Sequence, residues 1–330
     1  MIKVAVKALD AGNMHAPSTD AATVDRFAAD VIAGLTATHK RVSPKYFYDE
    51  AGSRLFTEIC RTDEYYVTRS ETLLLRKVAA EVAAGIPDGA VLVEFGSGDS
   101  AKTRLLLDAA PQVSAYVPID ISSSALYEAS GILARDYPRL RIVPVVADFT
   151  GHFALPLAAK GPKVGFFPGS TIGNFGRNGA VQFLRSARQL LGRSSALLVG
   201  VDLIKEPSTL IAAYDDSLGL TERFNKNLLA RINRELGGDF DLDAFEHLAM
   251  WNAARCRIEM HLVSLKDQIV NAAGHTFAFR FGEHLHTENS HKFTVDMFMR
   301  LAAEAGWYAS RHWVGDAPQV ALFHLEPTAR

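Results

Sequence analysis

A chain of 330 residues is longer than one small core can organise, so one large α/β domain, or a domain with a smaller companion, is expected. Its 48% hydrophobic and 22% charged residues are ordinary for a globular protein and show no sign of disorder. A net charge of −2 gives no broad basic face for nucleic-acid phosphates, and two cysteines, Cys60 and Cys256, make no disulfide framework.

The first segment, "MIKVAVKALDAGNMHAPSTD", has a short apolar run broken by Lys and Asp, which is not the pattern of a signal peptide. No window approaches the roughly 18 uninterrupted apolar residues of a membrane span. A cytoplasmic protein, with no membrane and no nucleic acid as partner, is therefore expected, and free thiols fit that reducing compartment. Residues 22–37 carry apolar positions at helical spacing. An aromatic-rich, irregular stretch follows and becomes helical from about Ser70, with Ser70 as N-cap and Glu71 placing negative charge in the first turn.

Strands and helices then alternate. "AVLVEF" (90–95), "SAYVPI" (114–119), "RIVPVV" (141–146), "KVGFFP" (163–168) and "SALLVGVDL" (195–203) are short apolar runs, separated by helical stretches near 101–110, 122–136 and 178–191. That rhythm is the signature of an α/β, doubly wound parallel sheet. It breaks at 207–250, which reads as three helical stretches, the last being "LDAFEHLAMWN". Residues 256–290 read as a strand meander, and a helix near 294–306 with two strands closes the chain. A doubly wound domain interrupted by an insertion of roughly 205–291 is expected, with the final strand pair forming an antiparallel edge hairpin.

"VEFGSGDSAKTRLL" sets Gly96 and Gly98 between the first strand and the next helix. Glycine there lets the backbone approach a ligand closely, at the carboxyl ends of the strands where open α/β sheets bind ligands. A lone G-x-G is weak, and a structural turn is its plain alternative. The second strand ends in Asp120, which can accept from both hydroxyls of a ribose, and the third leads into Asp148-Phe149, suited to an adenine's amino group and face. Ala101 completes the G-x-G-x-x-A form, so NAD stays open beside S-adenosylmethionine (SAM). Glu94 before the loop and the acids after two strands favour SAM. After the fourth strand comes "FFPGSTIGNF", where Asn174 suits a polar substrate and a Gly-Asn turn is the plain alternative.

Residues 284–293 read "HLHTENSHKF". On a regular strand His284, His286, Glu288 and Ser290 would share one face, as metal ligands or as a recognition site for a small polar molecule.

The segments "PKYFYDEAGSRLF", "EYYVTR", "VEFGSGDSAKTR", "PGSTIGNF", "AAYDDSLGLTERFNKN", "RIEM" and "TENSHKF" resemble, in register over about 20–325, the histidine-specific Nα-methyltransferases of ergothioneine biosynthesis. The resemblance implies three successive SAM-dependent methylations of the α-amine of free L-histidine, giving hercynine, with no metal, by a monomer. It implies a class I, Rossmann-like methyltransferase domain over 69–204 and 292–327. A second α+β substrate-binding domain would cover 17–68 and 205–291, with the amino acid between the two. It implies SAM contacts from Tyr48, Gly96, Lys102, Asp120, Asp148 and Phe149. It implies histidine contacts from Tyr65, Gly169, Asn174, Tyr214, Met260, Glu288 and Ser290, with Tyr48 and Asn174 at the chemistry. Neighbouring positions such as Pro168, Phe175 and Asn289 depart from the family's pattern.

Physical reading of those residues is compatible. Asn174 and Tyr214 can hold the substrate's carboxylate and amine by neutral hydrogen bonds, and Glu288 with Ser290 can bond the two imidazole nitrogens. Met260 would be a soft apolar wall for the ring, and Lys102 an ion-pair partner for the SAM carboxylate; their plain readings are core packing and a solvated helix start. Tyr48 has core aromatic packing as its plain reading. A relative acting on another amino acid or amine is the alternative substrate assignment, and a non-catalytic binding protein the alternative class. No dedicated general base is evident, so water or solvent is expected to take the ammonium proton before each transfer.

Overall fold

A computed structural model of the chain describes residues 21–98, 100–151, 153–156 and 160–328, without the side chains of 21–23. The N-terminal segment read above for a leader, and the expected domain start at 17, lie outside the described residues. The described residues form two compact units, one containing Val67–Ile204 and residues 292–328, the other containing residues 21–66 and Lys205–His291.

The first unit is built on an eight-stranded sheet. Its order is Trp307–Val314, Val320–Pro327, Ala196–Asp202, Lys163–Phe167, Val91–Phe95, Ala115–Asp120 and Arg141–Ile142, with Val145–Val146 also on Ala115–Asp120. All pairings from Ala196–Asp202 to Arg141–Ile142 are parallel; Val320–Pro327 is antiparallel to both of its neighbours. The expected closing hairpin is therefore present, but its second strand is inserted beside Ala196–Asp202 and its first forms the edge. The run expected as one strand over 141–146 is two short strands, interrupted around Pro144, which has no N–H for a ladder.

Every residue of Val91–Phe95 and Ala196–Asp202 is buried, as a parallel sheet covered on both faces requires. Phe95, Phe167, Phe183 and Phe149 form an aromatic cluster, with the Phe167 and Phe183 rings 4.4 Å apart. Trp307 is fully buried and donates its indole N–H to the Leu184 carbonyl at 2.8 Å, which ties the edge strand to the helix Arg177–Leu191. Strand order reverses between Val91–Phe95 and Lys163–Phe167, so the loops after these two strands meet at the switch point where such sheets bind ligands.

The helix expected from Ser70 spans Tyr66–Ala84, so Ser70 and Glu71 lie inside it rather than at its cap and first turn. Glu71 is 2% exposed.

In the second unit the helix Leu220–Leu236 carries Phe224 against Phe47 (4.6 Å), Tyr48 (5.7 Å) and Phe56 (6.0 Å). Asp216 caps its start by accepting from the backbone N–H of Leu220 (2.9 Å) and Thr221 (2.7 Å). A three-stranded antiparallel sheet follows in the order His284–His291, Arg257–Ser264, Phe245–Asn252, with a separate hairpin of Gln268–Ala272 and His275–Phe279. Phe245–Asn252 corrects the third expected helix: "LDAFEHLAMWN" is a short 3-10 turn and then this strand. Phe245, Leu248 and Ala249 imitate a helical stripe, but Phe245 and Ala249 are the buried positions, and they lie on one face of a strand.

Candidate active site

In the first unit, Gly96 and Gly98 follow strand Val91–Phe95 at φ of 74° and 50°, conformations that glycine adopts without strain. A Cβ on Gly96 would stand 3.5 Å from the Phe149 ring, so that ring closes on the loop. The Asp120 carboxylate accepts from Gly98 N–H at 3.2 Å and Ser122 N–H at 2.9 Å, which fixes the loop to the second strand's end. Burial pushes the Asp120 pKa up, and these backbone donors oppose that shift. Asp148 accepts from Thr150 N–H at 3.0 Å. Two left-handed glycines, a half-buried strand-end acid and an aromatic face beside the loop fit an adenosine cofactor with a free ribose.

Glu94, directly before that loop, is 1% exposed and accepts from Thr103 Oγ1 at 2.6 Å and from the Tyr116 hydroxyl. Burial pushes its pKa up to about 8, against the lowering effect of those two donors.

Gly169, at φ 80°, follows strand Lys163–Phe167 and leads to Asn174, half-buried at the end of the 3-10 turn Thr171–Asn174. The Gly169 N–H donates to both oxygens of Glu71, at 2.9 and 2.8 Å, and Lys102 ion-pairs with the same carboxylate. Sequence reasoning gave Glu71 only a helix-dipole role; the partners that define it are distant in sequence.

The second unit gathers Tyr65, Tyr214, Met260, Glu288 and Ser290, exposed by 7, 8, 1, 7 and 3% respectively. The Tyr65 and Tyr214 rings lie 6.1 Å apart, edge to face, and Tyr48 sits against Phe56 at 5.6 Å. Burial, with negative charge that includes Glu288, raises the Tyr65 phenol well above its ordinary pKa. The Tyr214 hydroxyl donates to Ser290 Oγ at 2.7 Å. Behind it, Asn225 donates its amide to His247 Nδ1 (2.9 Å) and to the His261 carbonyl (3.0 Å). His247 Nε2 then carries the proton and donates to the Tyr214 carbonyl at 2.8 Å. Asn225 and His247 were not singled out from sequence; Asn225 does lie in the quoted "TERFNKN".

The strand His284–His291 corrects the expectation of four residues on one face. Its pairing with Arg257–Ser264 runs His286 opposite His261 and then Glu288 opposite Met260, so Thr287 is an extra residue in a bulge. Alternation is reset there. His284 and His286 lie with His261 on one face, their rings each 5.0 Å from its ring, while Glu288 and Ser290 lie with buried Met260 and Ile258 on the other. A metal site made of His284, His286 and Glu288 is incompatible with that geometry, and among the described residues no group of three or more His, Cys, Asp or Glu is arranged to hold a metal.

A model of the family described as histidine-specific, SAM-dependent methyltransferase matches residues 27–327. A histidine N-alpha-methyltransferase of Mycolicibacterium smegmatis is 42% identical over 299 residues, covering 89% of this chain and 92% of that protein. Another of the same name from Mycobacterium tuberculosis is 42% identical over 298 residues, with 89% and 92% covered. Ergothioneine biosynthesis protein 1 of Neurospora crassa is 34% identical over 196 residues, covering 58% of this chain and 22% of that protein.

Proposed function

We propose a residue-level mechanism for this chain, which belongs to the SAM-dependent, histidine-specific methyltransferases. The enzyme methylates histidine with SAM as donor; the finer reading is three successive transfers to the α-amine, giving hercynine at the start of ergothioneine biosynthesis. SAM supplies an electrophilic methyl on a sulfonium. Gly96, Lys102, Asp120, Asp148 and Phe149 hold it, with Asp120 suited to ribose hydroxyls and Lys102 to a carboxylate. Tyr48 is assigned to the cofactor and to the chemistry, with Asn174.

One observation carries the histidine reading: Glu288 and Ser290 share a buried face, and Tyr214 donates to Ser290. Glu288 accepts, and the Ser290 hydroxyl can donate or accept. An acceptor beside a donor is complementary to a neutral imidazole, which has one N–H and one bare nitrogen. Met260 packs beside them as an apolar wall, and Tyr65, Gly169 and Asn174 complete the substrate set. Asn174 binds the polar amino-acid end by neutral hydrogen bonds, so the amine can shed its proton to water and attack in line. The trimethylated nitrogen has no N–H and no lone pair, which ends the series.

Among the described residues no helix is long and apolar enough to cross a membrane. A cytoplasmic monomer acting on free histidine completes the reading; the absence of a disulfide between Cys60 and Cys256 accords with it. Incubation with SAM and each of the twenty amino acids, followed by mass spectrometry, should add three methyls to histidine. A trimethyl gain confined to another amino acid would replace the substrate assignment.

A further inference from the structure

Glu71 is buried where four segments of the first unit meet. It projects from the helix Tyr66–Ala84, accepts the Gly169 N–H with both oxygens, and ion-pairs with Lys102 of the helix Ala101–Ala109. On the fourth side is Gly200 of strand Ala196–Asp202, where a Cβ would stand 1.6 Å from Glu71 Oε1. The sheet therefore makes room for this carboxylate. A Cβ on Gly169 would lie at ordinary contact distance, 3.7 Å, from Lys102 Nζ.

Exposure divides the roles. The Glu71 side chain is 2% exposed and the Lys102 side chain 14% exposed, so Lys102 keeps some accessible surface where Glu71 has almost none. Glu71 can influence a ligand only through Lys102 and through the Gly169 backbone.

We propose that Glu71 is a positioning residue that aims Lys102 at the carboxylate of SAM's amino-acid end and anchors the Gly169–Asn174 loop. The proposal rests on the reading of Lys102 as a SAM contact. Its physical content is twofold. A lysine ammonium on a flexible stem is a poor directional donor until a partner fixes it. An unaccompanied lysine would also repel the sulfonium; beside Glu71 the pair is neutral overall, yet Lys102 retains donors for an anionic group.

A double-mutant cycle on the full-length enzyme tests this, with SAM affinity read by calorimetry and steady-state kinetics in parallel. Glu71→Gln should weaken SAM binding about tenfold and raise the SAM KM to match, as expected for loss of one charge-assisted contact, with kcat at saturating SAM within about twofold because the amide oxygen still accepts the Gly169 N–H. Lys102→Met should weaken SAM binding by a similar factor, and Glu71→Gln/Lys102→Met should bind no more weakly than Lys102→Met alone. If Glu71→Gln fails to fold, Glu71→Met/Lys102→Met replaces it, because an apolar pair leaves no charge buried alone. That variant should match Lys102→Met in SAM affinity. Unchanged affinity in Glu71→Gln beside a weakened Lys102→Met overturns the proposal and leaves the reading of Lys102 intact. Multiplying effects, or additional loss in the apolar pair, also overturn it. Unchanged affinity in Lys102→Met removes the residue reading and the proposal together.

Discussion

Glu94 shows how a residue can stand directly before a ligand-binding loop and still be occupied with the fold. Its carboxyl is buried under Thr103 and Tyr116, and its pKa is pushed from 4.5 to about 8 by burial. Between those values the unfolded chain releases the proton while the native protein keeps it, so this group's contribution to stability falls as pH rises from about 4.5 to about 8. Below that window both states are protonated and the penalty is absent. Glu94→Gln should remove this loss, and urea midpoints measured at pH 5 and pH 8 should differ less in the variant than in the parent. A variant that keeps the parent's full decline would show that other groups set it. At the proposed substrate end, Tyr214→Phe removes one donor to Ser290 and should raise the histidine KM about two- to tenfold, the usual range for a neutral hydrogen bond. Glu288→Ala removes an acceptor with charge and should raise it about 10- to 100-fold. Steady-state kinetics at saturating SAM separates the two. The residue types at these positions were legible in the sequence. That Lys102 is held by Glu71, 31 residues away, was not, because buried charges find partners through space rather than along the chain.

At the scale of the element, the strand His284–His291 turns on one extra residue. Without the bulge at Thr287, a strict two-residue period would put the histidines on the Glu288 face. Deleting Thr287 restores that period and places either Leu285 or the Glu288–Ser290 pair on the wrong face. Histidine methylation should be lost, while SAM binding by calorimetry should persist, since Gly96, Asp120 and Phe149, the residues proposed to hold SAM, belong to the other unit. Retained turnover in the deletion would show that the bulge does not set the substrate face. Bulges leave little trace in local composition, which is why the alternation misled. Phe245–Asn252 misled for a related reason: its residues tolerate a helix, and only pairing along Arg257–Ser264 makes them a strand.

For the molecule as a whole, the chain leaves the first unit after Ile204 and returns at Lys292. The return is fixed within that unit by backbone bonds from Phe293 N–H to the Asp202 carbonyl (3.0 Å) and from Ile204 N–H to the Phe293 carbonyl (2.9 Å). Lys292 pairs with Asp202 at 2.9 Å, and both side chains are fully buried. Asp202 also donates its backbone N–H to Ser170 Oγ at 2.9 Å, which joins the return to the Gly169–Asn174 loop. Lys292→Met would remove the cation beside a buried carboxylate and should cost about 3–5 kcal/mol in urea unfolding. Asp202→Leu/Lys292→Met should recover most of that loss, whereas a cost under about 1 kcal/mol in the single variant would deny the pair its structural weight.

The alternation of short apolar runs with helical stretches determined the doubly wound sheet, because strand and helix periods are local properties of a sequence. The same is true of the glycine loop and of the acids at the strand ends, whose positions follow from the ends of those runs. Agreement of long segments then identified the family, from residues that are adjacent along the chain. Tertiary structure alone decided which strand of the closing hairpin entered the sheet, which face Glu288 and Ser290 occupy, and which partners hold Tyr214, Lys102 and Lys292. Each of these depends on pairing register or on the compensation of a buried polar group, and both are settled between segments far apart in the chain.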